Sequence, residues 1–260
     1  MKKIIRILSL VLVFTMLSAT AVFASDNQET ITYDGINFEK SELSSDTVEW
    51  LEWYNGLPDE LKGMVSNEPS ELAVGVATSS STIVQDAREL DKVFPVPHLK
   101  LLLPTSGYEP TYNPTYWNKA ENIRRANCYA YSMDVICNRE MKLQPGQLAG
   151  KTFTSLTENA IFQAAQSDAP YLGSGRTIAR ASQNDKPGRK QYKVALVIAP
   201  NTDYHWYVQN TDGYWSHKPG YSSATNVDAS GRKITDPQSC NRNYGALNYS
   251  TFCGYYIVTR

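Results

Sequence analysis

The stretch YHWYVQNTDGYWSHKPG, residues 204–220, decides the fold class. Its centre, NTDG, is typical of a tight turn between two antiparallel strands. With a three-residue loop and Gly213 in the left-handed conformation, side-chain alternation places His205 and His217 diagonally on one face of the hairpin. A two-residue Asp-Gly loop would place them on opposite faces. The turn therefore determines whether the two imidazoles meet.

The segments around this hairpin complete the fold prediction. YKVALVIAP (192–200) has an almost fully apolar centre, as a buried strand does, and FCGYYIVTR (252–260) predicts a final strand. Upstream, helical patterns cover residues 44–64, the region around Cys128, and residues 155–169. Helices followed by an antiparallel sheet predict an α+β fold.

Residues 1–24 have the features of a secretory signal peptide. A basic MKK start precedes an apolar run, and Val22 and Ala24 suit the −3 and −1 positions of a cleavage site before Ser25. No later stretch is long and apolar enough to cross a bilayer. The formal net charge of −1 argues against nucleic acid as the main partner. We therefore expect a secreted protein, extracellular or cell-wall associated, without membrane contact after signal removal.

The exported chain divides into two predicted parts. Residues 25–95 form an N-terminal helical segment, in which Ser45 or Asp46 caps the first helix and residues 81–94 form a second, weaker one. This segment is either an accessory layer on the main unit or a propeptide. Residues 96–260 form the main domain, which is large enough to bury a core without disulfides.

The motif NCYAYSMD places Cys128 at the predicted start of a helix. A helix dipole and a nearby imidazolium lower a thiol pKa and favour the thiolate. With the two-histidine hairpin, this predicts a thiol hydrolase in which Cys128 is the nucleophile, His205 the general base and then the proton donor, and His217 the residue that orients His205. The backbone N–H of Cys128, with Asn122 or Asn127, would stabilise the oxyanion.

The pieces NCYAYSMD, DYHWYVQN and GYWSHKPG resemble the papain-like superfamily, and within it the NlpC-type and CHAP-type bacterial cell-wall hydrolases, over residues 120–260. The twelve-residue step from His205 to His217 is similar to the Cys-His-His arrangement of the NlpC type. The usual Asp-Cys-Ser is Asn-Cys-Tyr here, and the glycine-rich lead-in is missing. In a papain-type arrangement, Asn226 would replace His217 as the third residue.

The resemblance implies a papain-like (NlpC-type) domain over residues 96–260, with a helix bundle packed on an antiparallel β-sheet. It implies a bacterial cysteine peptidase or amidase that cleaves amide bonds in peptidoglycan peptides or proteins. Such an enzyme needs no metal and no cofactor, and we expect a monomer.

Two other functions stay open. Cys128, His205 and His217 are acceptable zinc ligands that would leave one position for water, as in a zinc-dependent amidase. No His-Glu-x-x-His or Cys-x-x-Cys spacing favours that interpretation. The alternative is a non-catalytic binding domain on the same fold, in which Cys128 is a small buried residue.

The other three cysteines have no predicted catalytic role. Export permits disulfides, and Cys240 and Cys253 flank a tyrosine-rich connection, so they are candidates for a pair. Cys137 is expected to be free and buried on the same helix as Cys128.

Overall fold

The computed structural model describes residues 29–73, 84–86 and 102–260. The predicted signal peptide, residues 1–24, lies outside the described residues, and its cleavage stays a prediction. Among the described helices, none has the length and apolar character that crossing a membrane requires.

The described helices and strands, in chain order, are β1 (Thr30–Tyr33), β2 (Ile36–Glu39), α1 (Ser45–Asn55), α2 (Asp59–Met64), β3 (Val84–Asp86), α3 (Pro114–Trp117), α4 (Ala120–Ile123), α5 (Cys128–Ser132), β4 (Val135–Cys137), α6 (Glu158–Leu172), β5 (Thr177–Ala181), β6 (Gln191–Ala199), β7 (Asp203–Gln209), β8 (Trp215–Ser216) and β9 (Thr251–Thr259). Short 3-10 helices cover Lys40–Glu42 and Ser70–Leu72.

A five-stranded sheet in the order β5-β9-β6-β7-β8 organises the C-terminal part of the chain. Every neighbouring pair in it is antiparallel. The predicted strands 192–200 and 252–260 are present as β6 and β9, and the predicted helix 155–169 is present as α6. The prediction of an α+β fold with an antiparallel sheet is therefore confirmed.

Both faces of the sheet are covered, which explains why β6 is apolar along almost its whole length. One set of alternating side chains packs with α5 and α6 in a first cluster that includes Tyr192, Val194, Leu196 and Trp206. The other set, with Ala195 and Val197, packs in a second cluster. The N-terminal segment contributes to this second cluster Ile31, Tyr33, Trp50, Leu51, Leu57, Val65 and Leu72.

The N-terminal segment differs from its helical prediction in two places. It begins with the β1–β2 hairpin, whose turn residues Asp34 and Gly35 have φ angles of 48° and 82°. An Asp-Gly pair with both φ angles positive is a common hairpin turn, so the sequence carried this signal. Helix α1 is capped by Ser44, which accepts a hydrogen bond from the Thr47 N–H, rather than by Ser45 or Asp46.

The weaker helix predicted over residues 81–94 is wrong where the structure describes it. Val84–Asp86 form β3, which pairs antiparallel with β4 so that Val84 lies opposite Cys137. The other residues of that predicted helix lie outside the described residues. Strand pairing with a distant segment overrides the weak helical pattern in this stretch.

The helix around Cys128 is shorter than predicted. It ends at Ser132, and Asp134 then adopts the left-handed conformation with φ of 54°, which turns the chain into β4. Cys137 is buried on β4, so its predicted place on the helix of Cys128 is wrong. The sequence Val135-Ile136 suits a strand, because branched side chains at the β-carbon favour extended backbone.

Candidate functional site

The hairpin formed by β7 and β8 has the predicted three-residue loop. The Gly213 N–H donates to Asn210 O, and the Asn210 N–H donates to Tyr214 O, each at 2.8 Å. Gly213 has a φ of +81°. Val208 then lies opposite Ser216, and His217, the next residue, has its ring centre 4.8 Å from that of Tyr207. The prediction that His205 and His217 share one face is confirmed.

The two imidazoles form a hydrogen bond of 2.8 Å between His205 Nε2 and His217 Nδ1. His217 Nε2 lies 3.0 Å from the carbonyl oxygen of Val227 and therefore carries its own proton, since a carbonyl only accepts. In neutral His217, Nδ1 is then the acceptor and His205 Nε2 the donor. His205 Nδ1 is left without a hydrogen-bond partner among the described residues.

Both imidazoles are held in the neutral form by burial. His205 and His217 are each 1% exposed. Burial lowers the pKa of His217 to about 4, although the Val227 carbonyl acts in the opposite direction. Burial, together with the neighbouring His217, lowers the pKa of His205 well below its usual range. An imidazolium is therefore disfavoured at this position near neutral pH.

Cys128 is fully buried at the start of α5, and its Sγ lies 4.0 Å from the carbonyl oxygen of Tyr204. Burial raises the pKa of the Cys128 thiol to about 12, against the lowering effect of the Ser66 hydroxyl. No hydrogen bond joins Cys128 Sγ to an imidazole in the part of the chain that the structure describes. With a raised thiol pKa and lowered imidazole pKa values, thiol and imidazole are both neutral.

Asn122 and Asn127, which were proposed to stabilise the oxyanion, have other partners. Asn127 caps α5 by accepting from the Ala130 N–H at 3.2 Å, and its amide donates to Leu143 O at 2.9 Å. The amide of Asn122 donates to Tyr116 O at 2.9 Å. Both amide groups are therefore bonded to backbone carbonyls.

Asn226 was the alternative to His217 for the third position, and the place beside His205 Nε2 is occupied by His217. His217 Nε2 bonds to the carbonyl oxygen of Val227, the residue after Asn226. Asn226 instead accepts from the Ile234 N–H through its backbone oxygen at 3.0 Å.

The zinc interpretation fails on geometry. Among residues 29–73, 84–86 and 102–260, no group of three or more His, Cys, Asp or Glu side chains is placed to hold a metal ion. His205 and His217 use facing nitrogens on each other, so these nitrogens do not converge on a common ion.

The four cysteines are all free thiols, so the proposed pair Cys240–Cys253 is not formed. The two side chains pack against different clusters, Cys253 against the first and Cys240 against the second. The sheet therefore separates them.

Asp203, next to the hairpin, is a site residue that the sequence analysis missed. Its carboxylate accepts from the Ser66 N–H, from the Asn67 N–H at 2.6 Å and from the Tyr249 hydroxyl at 2.7 Å. Burial raises the pKa of Asp203 to about 6, although these donors lower it. The carboxylate anchors the N-terminal segment beside Cys128.

The same segment packs closely on the chain after His217. The Tyr221 N–H donates to Gly63 O at 2.9 Å. Gly220 has a φ of +42°, and a Cβ there would lie 2.4 Å from that oxygen. The close approach requires glycine at position 220.

Lys218 is a second buried ionic residue that the sequence analysis missed. Its ammonium donates to the carbonyl oxygens of Ile123, Ala126 and Gly220. Burial lowers the pKa of Lys218 to about 7. These three bonds tie the loop before Cys128 to the chain after His217. A lone lysine in the sequence gives no sign of such partners.

Comparison with known proteins gives one informative relative. No family model and no solved structure matches the chain. Insoluble matrix shell protein 1 from Ruditapes philippinarum is 33% identical over 144 residues, which is 55% of this chain and 86% of that protein. The chain belongs to the insoluble matrix shell protein 1 family. This relationship overturns the prediction of an exported bacterial cysteine hydrolase, and with it the zinc-amidase alternative.

Proposed function

We propose that the chain is a secreted structural protein that becomes part of an insoluble extracellular matrix. The observation that carries this proposal is the family relationship, which spans 86% of a protein named for an insoluble shell matrix. The buried, neutral state of Cys128 and the two histidines also supports it, because a structural domain needs no exposed nucleophile.

We further propose that the domain uses a papain-like layering as a scaffold. In support, α5, which begins at Cys128, packs against β7 in the first cluster, where β7 contributes Tyr204 and Trp206. In this proposal the histidine pair and Asp203 tie strands, loops and the N-terminal segment together. The matrix then replaces the predicted peptide or peptidoglycan substrate as the partner.

We also propose that residues 1–24 direct export and are removed before Ser25. The basic start, the apolar run and the small residues at the cleavage site support this step. The mature chain would then keep the N-terminal segment, since that segment supplies part of the second cluster.

Fractionation of cultures of the source organism tests the proposal. Cells, medium and detergent-insoluble extracellular material are separated, and the chain is quantified in each by peptide mass spectrometry. We expect enrichment in the insoluble extracellular fraction, with an N-terminus at or near Ser25. Recovery of most of the chain from washed cells, or a retained Met1, would contradict the proposal.

A further inference from the structure

A cavity of ≈ 270 Å³ lies between the N-terminal segment and the loop that follows β4. The N-terminal side is formed by residues of the β1–β2 turn and by residues 68–73, and the other side by residues 139–152 and Tyr221. This volume is near the lower end for ligand pockets, which start at about 300 Å³. It suits a ligand of monosaccharide size.

Lys142 is the feature of this cavity that calls for a ligand. The residue lines the cavity and is 5% exposed. Its Nζ lies 5.1 Å from the centre of the Tyr221 ring and 5.8 Å from that of Tyr54. Within the described residues, no hydrogen bond or close ion pair satisfies this ammonium: burial lowers the pKa of Lys142, and carboxylates such as Glu68 act on it only through charge at longer range. A buried ammonium without an acceptor is costly, and an anion would satisfy it.

Glu68 lines the same cavity and does not neutralise Lys142 at close range. Burial raises the pKa of Glu68, while Lys142 and the Tyr33 hydroxyl lower it. The Glu68 carboxylate oxygens can accept hydrogen bonds from ligand hydroxyls. Lys142 and Glu68 therefore place a donor for a carboxylate and an acceptor for hydroxyls in one cavity.

Neutral hydrogen-bonding groups lie on the wall formed by residues 139–152. Gln147 uses its Oε1 to accept from the Gln144 N–H at 2.9 Å, which leaves its amide N–H groups for a ligand. Thr152 also lines the cavity and carries a hydroxyl. Groups of this kind bind hydroxyls, whereas an apolar wall would favour a hydrocarbon.

We propose that this cavity binds a hydroxylated carboxylate of monosaccharide size, a sugar acid, with its carboxylate on Lys142 and its hydroxyls on Glu68, Gln147 and Thr152. The site is separate from the buried Cys128 and histidine pair. Its ligand chemistry follows from the lining groups and does not depend on the matrix role.

Isothermal titration calorimetry on the mature chain, with three probes, tests the site. D-glucuronate carries both the carboxylate and the hydroxyls, D-glucose lacks the carboxylate, and acetate lacks the hydroxyls. We expect one site for glucuronate and at least about 10-fold weaker binding of each of the other two, because hydrogen bonds to charged groups are the strongest. No glucuronate binding, or equal binding of glucose, would overturn the proposal.

Two variants test whether glucuronate binds at Lys142. Lys142→Met keeps the side-chain length and removes the charge, so glucuronate affinity should fall by about 10- to 100-fold. Lys151→Met changes an exposed lysine outside the cavity and should bind as the unaltered chain does. Unchanged affinity in Lys142→Met would overturn the proposal.

Thr152→Val covers the case in which Lys142→Met does not fold. It removes one hydroxyl at nearly constant volume and should weaken glucuronate binding by about 2- to 10-fold, without changing acetate binding. Equal loss for both probes would contradict the assigned orientation. Circular dichroism of each variant confirms the fold.

Discussion

His205 Nε2 donates to His217 Nδ1 across 2.8 Å, and His217 Nε2 in turn lies 3.0 Å from the carbonyl oxygen of Val227. This chain fixes the tautomer of both rings and joins β7 to the loop after β8. A base that serves a nucleophile needs a free acceptor near the thiol and access to a proton. Here both rings are buried, and His205 Nδ1 has no hydrogen bond to the thiol, since Cys128 Sγ lies 4.0 Å from Tyr204 O instead.

Cys128 should resist alkylation in the folded chain. Its Sγ is buried and its pKa is raised to about 12, so both access and thiolate fraction are low. With iodoacetamide at pH 7.5, we expect labelling at least about 100-fold slower than in the urea-unfolded chain. Peptide mass spectrometry gives the rate for each cysteine, and half-buried Cys253 is the internal control. Rapid native labelling of Cys128 would show that the site opens.

Replacement of His217 by glutamine should change how stability depends on pH. Glutamine can accept from His205 and donate to Val227, but it does not titrate. In the folded chain the pKa of His217 is about 4, below its unfolded value of 6.5. Protons therefore bind the unfolded chain first, and His217 costs stability as pH falls from about 6.5 towards about 4.

The measured quantity is the free energy of unfolding of the unaltered chain minus that of His217→Gln. As pH falls from about 6.5 towards about 4, this difference should decrease by up to about 3 kcal/mol. Urea unfolding at half-unit pH steps measures it. The subtraction removes the opposite contribution of Asp203, whose pKa is raised to about 6 and which favours folding as pH falls towards 3.8. A constant difference would mean that His217 titrates normally.

Asp203→Asn should weaken the attachment of the N-terminal segment. The amide keeps one oxygen, which can accept from the Asn67 N–H, while its NH₂ takes the place of the oxygen that accepts from the Ser66 N–H and the Tyr249 hydroxyl. We expect a loss of about 1–3 kcal/mol in the free energy of unfolding. Hydrogen exchange should also speed up over residues 63–67. Glu121→Gln, an exposed carboxylate-to-amide change, is the matched control and should have little effect. Equal stability of the two variants would remove Asp203 as the anchor.

Gly213→Ala tests the turn that aligns the histidines. Gly213 has a φ of +81°, and a Cβ there would lie 2.8 Å from Leu102 Cδ1. Gly231 has a φ of +77° but open space around its Cβ position. Gly231→Ala should therefore cost about 1 kcal/mol from backbone strain alone, and Gly213→Ala should cost more. Thermal unfolding of both variants gives the comparison, and equal costs would mean that Leu102 moves aside freely.

The local features of this protein were predictable from the sequence. The Asn-Thr-Asp-Gly turn specified the three-residue loop, because glycine accepts the left-handed conformation there, and side-chain alternation then placed His205 and His217 together. The apolar centre of β6 was sufficient to predict a buried strand, and the apolar spacing in α6 was sufficient to predict a helix. These signals depend on residues within a few positions of each other.

The ionisation of Cys128 and His205, and the long-range contacts around them, were decided only by the tertiary structure. Ser66 reaches Asp203 across 137 positions of sequence, Val84 pairs with Cys137, and the sheet separates Cys240 from Cys253. Burial by distant segments raises the thiol pKa of Cys128 and lowers the pKa of His205. A motif predicts which groups meet, but their ionisation depends on how much water the rest of the fold excludes, since burial disfavours charge.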